Sequence, residues 1–297
     1  MRVFVTGASG FIGSAVVSEL IAEGHQVLGL ARSDSSAQAI HATGAQVHRG
    51  DIEDLDSLRA GAESVDGVIH LAFNHDFTDY TGAAETDRRA IEAVGNALAD
   101  SDRPFVVTSG LAGFALGRPM TEDDVASPDS PRFSEHAALA FTSRGVRVSV
   151  LRLPPSVHGE GDHGFVPRLI DIAREKGVAG FPGDGLNSWP AVHRLDAARL
   201  FRLALESAPA GARLHAIGDE GVPVRDIAGT IGRHLGLPVT SIAPEQAVDH
   251  FGWLGMFFSL DVPASSAVTR DLLGWQATRP GLLDDLDEGH YFRERAA

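Results

Sequence analysis

Cysteine is absent from the 297 residues, and lysine occurs once, at Lys176. The first absence excludes disulfides and thiolate metal centres. Tyrosine occurs twice, at Tyr80 and Tyr291, and the places four residues on hold Ala84 and Arg295, so no Tyr-x-x-x-Lys pair exists. Positive charge is scarce: 25 Lys and Arg face 40 Asp and Glu, a net charge of −15. That balance argues against nonspecific nucleic-acid or anionic-membrane binding, because neutralising phosphates needs clustered cations. No apolar run approaches the roughly 20 residues of a membrane-spanning helix. The first residues read as a strand rather than a charged region followed by an apolar signal stretch. A cytoplasmic location is the expectation.

What is present is ordinary in bulk and particular at the start. Hydrophobic residues make up 43% and charged residues 22%, as in a globular protein. Val3-Phe4-Val5 reads as a short buried strand and runs into Thr6-Gly7-Ala8-Ser9-Gly10-Phe11-Ile12-Gly13. Gly7 permits the turn out of the strand, Gly10 lets backbone approach a pyrophosphate, and Gly13 lets the next helix pack closely. Val16, Val17, Leu20 and Ile21 then recur at helical spacing up to Gly24, and a second strand follows at Gln26–Leu30. A helix starting there points N–H groups and a positive dipole at phosphate. Strand, loop, helix and strand in this order predict a dinucleotide site.

Further strands are expected at 46–48, 67–71, 104–108 and 146–151, with helices between them, notably Glu85–Leu98 and Pro131–Thr142. This alternation predicts an α/β fold, a Rossmann-type doubly wound parallel sheet. Residues 1–153 read as the dinucleotide-binding domain. Residues 154–297, denser in glycine and proline, read as a smaller substrate-binding region interleaved with the last sheet strands. The long stretch Gly110–Ser130 reads as a functional loop.

Glycines at 7, 10 and 13 make the chain resemble the extended and atypical short-chain dehydrogenase/reductases, which include nucleotide-sugar epimerases and dehydratases. Other segments follow the same order: Asp51-Ile52, His70-Leu71-Ala72, Val106-Val107-Thr108-Ser109, Leu151-Arg152-Leu153-Pro154-Pro155 and Val157-His158-Gly159. So do Val192-His193-Arg194-Leu195-Asp196-Ala197-Ala198 and Leu273-Gly274-Trp275. The resemblance implies cofactor contacts at Gly7, Ser9, Gly10, Phe11, Ile12, Gly13, Asp51 and Ile52. It places Leu71, Ala72, Phe73, Thr108, Pro154 and Val157 along the nicotinamide side, with Ser109 near the reacting carbon. It also implies a homodimer through the helices Glu85–Leu98 and Pro131–Thr142, although Arg88, Arg89 and Arg132 make that face polar.

The second strand ends in Ala31-Arg32-Ser33. A carboxylate there serves NAD; a cation or hydroxyl serves the 2′-phosphate of NADP. Arg32 can fork onto phosphate and Ser33 can donate beside it, which favours NADP(H). NAD(H) remains open, because Asp34 could turn in.

In the family resembled, Tyr donates the proton and Lys tunes it. One alignment puts Arg132 and His136 at those positions; a second, anchored on Glu135, puts Ser127 and Pro131 there. Neither restores the pair. Three replacements are open. A histidine could supply the acid, His75, His158 or His193. Tyr80 or Asp76 on the loop after the fourth strand could do so. Or no side chain donates, as with a preformed iminium. His158, Glu160, Asp162 and His163 lack a specific metal spacing, and no metal is expected. Glu122-Asp123-Asp124 reads as a solvated turn. Phe251, Trp253, Phe257 and Phe258 could wall an apolar substrate pocket, or simply form core.

The leading expectation is an NADP(H)-dependent reductase of a small or medium apolar carbonyl or imine. A non-catalytic NADP(H)-binding redox sensor comes second and a nucleotide-sugar epimerase or dehydratase third. Gly10→Glu should abolish turnover while the protein stays folded by circular dichroism; unchanged turnover would remove the cofactor assignment.

Overall fold

A computed structural model describes residues 1–74, 79–111, 117–127 and 133–293. The first half alternates as β1 (Arg2–Thr6), α1 (Phe11–Ala22), β2 (Gln26–Ala31), α2 (Asp34–Ala42), β3 (Gln46–Arg49), α3 (Leu55–Glu63) and β4 (Gly67–His70). It continues with α4 (Tyr80–Leu98), β5 (Pro104–Gly110), α5 (Ser134–Leu139) and β6 (Arg147–Leu153). Then come β7 (Ser156–His158), α6 (Phe165–Lys176), β8 (Ala179–Pro182), β9 (Ser188–His193), α7 (Arg194–Ser207) and β10 (Ala212–His215). The chain closes through β11 (Asp219–Pro223), α8 (Val224–Leu235), β12 (Val239–Ile242), α9 (Ala247–Phe251), α10 (Leu254–Phe258), α11 (Ala267–Leu273) and α12 (Leu282–Asp287).

Seven strands form the main sheet in the order β10-β6-β5-β4-β1-β2-β3, and every pairing in it is parallel. The order reverses between β1 and β4, the crevice where dinucleotides bind in such sheets. Strand alternation divides the core. Val3 and Val5 face the layer of α1, α2 and α7, whereas Phe4 faces α3 and α4. The Rossmann-type α/β expectation is met.

Two elements differ from the sequence reading. The fourth helix begins at Tyr80 rather than Glu85, because Asp79 caps it by accepting from the Gly82 N–H. The helix expected over 131–142 is α-helical only at Ser134–Leu139 and tightens into a 3₁₀ turn over Ala140–Arg144; residues 128–132 lie outside the described residues. After β6 the chain leaves the sheet and returns: α7 packs on α1, and β10 adds the seventh strand. Phe201, Leu214 and Trp275 therefore share a core with Val3 and Val16. Asp196 of α7 fastens the C-terminal Leu-Gly-Trp segment: its carbonyl accepts from Trp275 Nε1, and its carboxylate from Thr278 and Arg279.

A second core, built from α6, α8, α9, α10 and α12, surrounds the small sheet β11-β9-β7. The joint between β6, α5 and β10 is ionic. Arg152, fully buried, forks onto Glu135 through Nε and Nη2 at 2.9 and 2.8 Å. Arg213 adds a third contact to Glu135 at 2.6 Å. Burial pushes the Glu135 carboxyl up, but the two guanidiniums outweigh it and hold it below the ordinary range.

Removing Glu135 strands a desolvated guanidinium. Glu135→Ala should cost about 3–5 kcal/mol in urea unfolding. Asp56→Ala, which breaks the exposed Asp56–Arg59 pair, should cost under about 1 kcal/mol.

Candidate functional site

The glycine loop sits where β1 and β4 lie side by side. Gly7 has φ +67°, and a Cβ on it would stand 2.8 Å from the Ala72 nitrogen. A Cβ on Gly13 would stand 2.0 Å from the Gly7 carbonyl oxygen. Gly10 caps α1 without any side-chain hydrogen bond. Ser9 and Gly10 are exposed, Phe11 and Ile12 half-buried. The first turn of a 12-residue helix thus meets open space with its dipole uncapped, a cradle that fits a dinucleotide diphosphate.

Thr6 holds the loop against β4. Its hydroxyl accepts from the Leu71 and Ala72 N–H groups, both at 3.2 Å, and lies 2.9 Å from His70 Nδ1. With both acceptor directions taken, Thr6 donates to Nδ1, so the His70 proton resides on Nε2. Nε2 reaches Asp87 Oδ1 at 3.1 Å, and the Ser134 hydroxyl donates to the other Asp87 oxygen. All four residues are buried. The sequence reading missed this chain, although Asp87 interrupts the apolar face of α4 between Ala83 and Ala90–Ile91.

At the end of β2, Arg32 is exposed and makes no hydrogen bond or ion pair among the described residues. Asp34 instead bonds Arg49, at 2.6 Å. Ser33 caps α2 by accepting from the Ser36 N–H. Beyond β3, Asp51 accepts from the Glu53 N–H. Ile52, Glu53 and Leu55 face Thr86 and Arg89 across an open cleft of about 300 Å³.

The opposite end of the cradle holds Leu71, Ala72 and Phe73, all half-buried, and buried Pro154 beside half-buried Val157. Thr108 donates to the His70 carbonyl at 2.8 Å. Ser109, next along β5, is buried to 7% exposure, yet its hydroxyl has no hydrogen-bond partner among the described residues. Tyr80 opens α4, half-buried, with its ring 6.0 Å from Phe73. His75, Asp76, Pro131 and Arg132 lie outside the described residues. Ser127 and His136 are exposed.

The two histidine candidates among the described residues, His158 and His193, have partners of their own. His158 points into the second core: Nδ1 meets Asp285 Oδ2 at 2.8 Å, and Nε2 is buried without a partner among the described residues. No solvent or substrate reaches that atom in this conformation, which argues against His158 as the acid. His193 lies beside it, ring centroids 5.4 Å apart. Its Nδ1 accepts from the Leu195 N–H, and burial and then the charge of His158 lower its pKa. With Nδ1 accepting, the ring proton of neutral His193 sits on Nε2. Tyr291 accepts from the Gly159 N–H and donates to Asp162, both at 3.0 Å, and burial pushes its pKa far up. Glu122 is not the solvated residue expected: it is buried and accepts from the Thr269 N–H and hydroxyl. Asp124 bonds Arg118 and Thr121.

The aromatic group is larger than the sequence indicated. Phe165 meets Trp189, Trp253 and Phe257 at 5.6–5.8 Å, while Phe251 and Phe258 close the buried side. Trp253 and Met256 remain exposed.

Residues 3–217 match the NAD dependent epimerase/dehydratase family, and the chain belongs to it. An uncharacterized protein of Schizosaccharomyces pombe is 50% identical over 295 residues, 98% of this chain and 100% of that one. A 4-hydroxy-2-methyl-3-oxo-4-farnesyl-3,4-dihydroquinoline-1-oxide ketoreductase of Stigmatella aurantiaca is 32% identical over 194 residues, 59% of this chain and 56% of that protein. A dTDP-glucose 4,6-dehydratase of Streptomyces venezuelae, solved with NAD bound, superposes with a TM-score of 0.79 at 23% identity, covering 99% of this chain and 97% of that one. The chain is an enzyme of the oxidoreductase and epimerase type, in an NAD(P)-dependent family.

Asp285 receives both His158 and His290, at 2.8 and 3.0 Å. Burial pushes its carboxyl up, yet these two hydrogen bonds outweigh that and leave it below the ordinary range. A depressed carboxylate contributes stability above its unfolded pKa of about 4 and loses it as pH falls through the folded value. The wild type should therefore exceed Asp285→Asn by about 2 kcal/mol at neutral pH, and the gap should narrow below about pH 4 in urea titrations. A gap that is flat with pH would refute the ionic role.

Proposed function

We propose that the chain is an NADP(H)-dependent reductase acting on a small or medium apolar carbonyl or imine. The observation that carries the nucleotide choice is the Asp34–Arg49 pair. The pair is exposed and weak, but it points the Asp34 carboxylate at Arg49, while Arg32, beside Ser33, is left for a 2′-phosphate.

The apolar substrate is inferred from the accessible aromatic side chains Phe165, Trp253 and Phe257, backed by buried Trp189. Such side chains exclude water and offer flat apolar contact. A relative named for reduction of a farnesyl-bearing ketone supports the same direction. The nicotinamide, when bound, would supply the hydride. Ser109, whose hydroxyl has no partner among the described residues, would hold the substrate oxygen or nitrogen toward β5. Tyr291 is tied to Asp162, and His158 is sealed off, so neither supplies the proton. For a carbonyl the proton would come from Tyr80, beside Phe73, or from water. A preformed iminium needs none, which makes imines the substrates best matched to a chain without Tyr-x-x-x-Lys.

The missing pair also favours a second reading, a nucleotide-binding sensor. Purified protein should oxidise NADPH faster than NADH against a panel of ketones, aldehydes and cyclic imines. Arg32→Ala should raise the KM for NADPH roughly 10-fold, the loss of one charge-assisted contact, and leave that for NADH unchanged. NADPH binding without turnover would favour the sensor. Turnover of UDP- or dTDP-glucose instead would replace both readings with an epimerase or dehydratase.

A further inference from the structure

Arg194, the first residue of α7, is half-buried. Its guanidinium lies over the ring of Phe11, 5.0 Å from the centroid, and Phe11 is the first residue of α1. It makes no hydrogen bond and no ion pair among the described residues. In a protein with 40 acidic and 25 basic residues, a half-buried guanidinium is expected to find a carboxylate. Arg194 instead sits beside the positive end of a helix dipole, an arrangement that repels itself until an anion joins it.

The surroundings keep it there. Residues Gly159 to Gly164 pass alongside, and a Cβ on Gly159 would come within 3.3 Å of Arg194 Cγ. Gly159 and Gly161 have φ of +135° and +87°, conformations that favour glycine. Tyr291 pins this segment at Gly159 and Asp162, and Asp162 in turn accepts from the Gly164 N–H. The His163 ring stands nearly perpendicular to that of Phe11, centroids 5.8 Å apart. Phe11 thus has a cation on its face and an imidazole beside it, next to the glycine cradle.

We infer that Arg194 is a positioning residue that clamps the diphosphate of the bound dinucleotide from the side facing the first turn of α1. The inference rests on the dinucleotide reading. Two fixed sources of positive potential, the helix end and the guanidinium, would hold the diphosphate between them, with charge-assisted bonds from the guanidinium fork. Tyr291, one of the two tyrosines, then serves binding by anchoring the segment that flanks the clamp.

The test compares ligands that carry a diphosphate with one that does not. In Arg194→Met, dissociation constants for NADPH, NADH and ADP-ribose should all rise by about 10- to 100-fold, the loss of one charge-assisted contact. The constant for 2′-AMP should stay unchanged. The salt dependence of NADPH binding should also weaken, which loss of ring packing alone would not produce. Arg194→Lys, which keeps the charge without the fork, should fall between. Unchanged NADPH affinity in folded Arg194→Met would overturn the clamp alone, as would an equal loss for 2′-AMP. Failure of the wild type to bind any dinucleotide would overturn the cofactor reading and the clamp with it.

Discussion

The approach of the first βα turn to the end of β4 is the constraint on which the site depends. The Gly13 position lies so close to the Gly7 carbonyl that any Cβ would overlap it, and Gly7 faces the Ala72 backbone just as tightly. Helix, turn and neighbouring strand are consequently in direct backbone contact. The reward for this crowding is an uncapped helix end held at the switch point of the sheet. Thr6 secures the approach by giving the Leu71 and Ala72 N–H groups an acceptor, which they would otherwise lack at the edge of the ladder.

Polar groups buried behind this turn tie it to the other helical layer. From Thr6 the hydrogen bonds run through His70 and Asp87 to Ser134, so the start of α5 is linked to the cofactor loop. One residue on, Glu135 joins α5 to β6 and β10 through Arg152 and Arg213. Groups so deeply desolvated are costly unless fully partnered. Their effect is to specify where α5 stands relative to the sheet. In this chain that position is kept while the Tyr-x-x-x-Lys pair is absent.

The second core does a different task. His158, a candidate acid in the sequence, is drawn into its structure beside His290 on Asp285, and Tyr291 bonds Asp162. At the border of this region the cation Arg194 lies over Phe11, the first residue of α1.

The sequence by itself determined the parallel sheet, the glycine cradle and the lack of a Tyr-x-x-x-Lys pair. These are local properties: strand period, helix spacing and residues whose conformational needs are met within a few positions. It could not determine partners. That Asp34 pairs with Arg49 depends on β3 coming alongside β2. Glu122 looked solvated until α11 covered it, and His158 looked free until residue 285, 127 positions away, met it. Arg152 was the partial exception, because an arginine inside the run Val148–Leu153 must find a buried counter-charge; only the fold names Glu135. Hydrogen bonds and ion pairs between distant segments depend on distances that chain order does not encode, so the tertiary structure alone decided which polar residues are committed and which face the cradle.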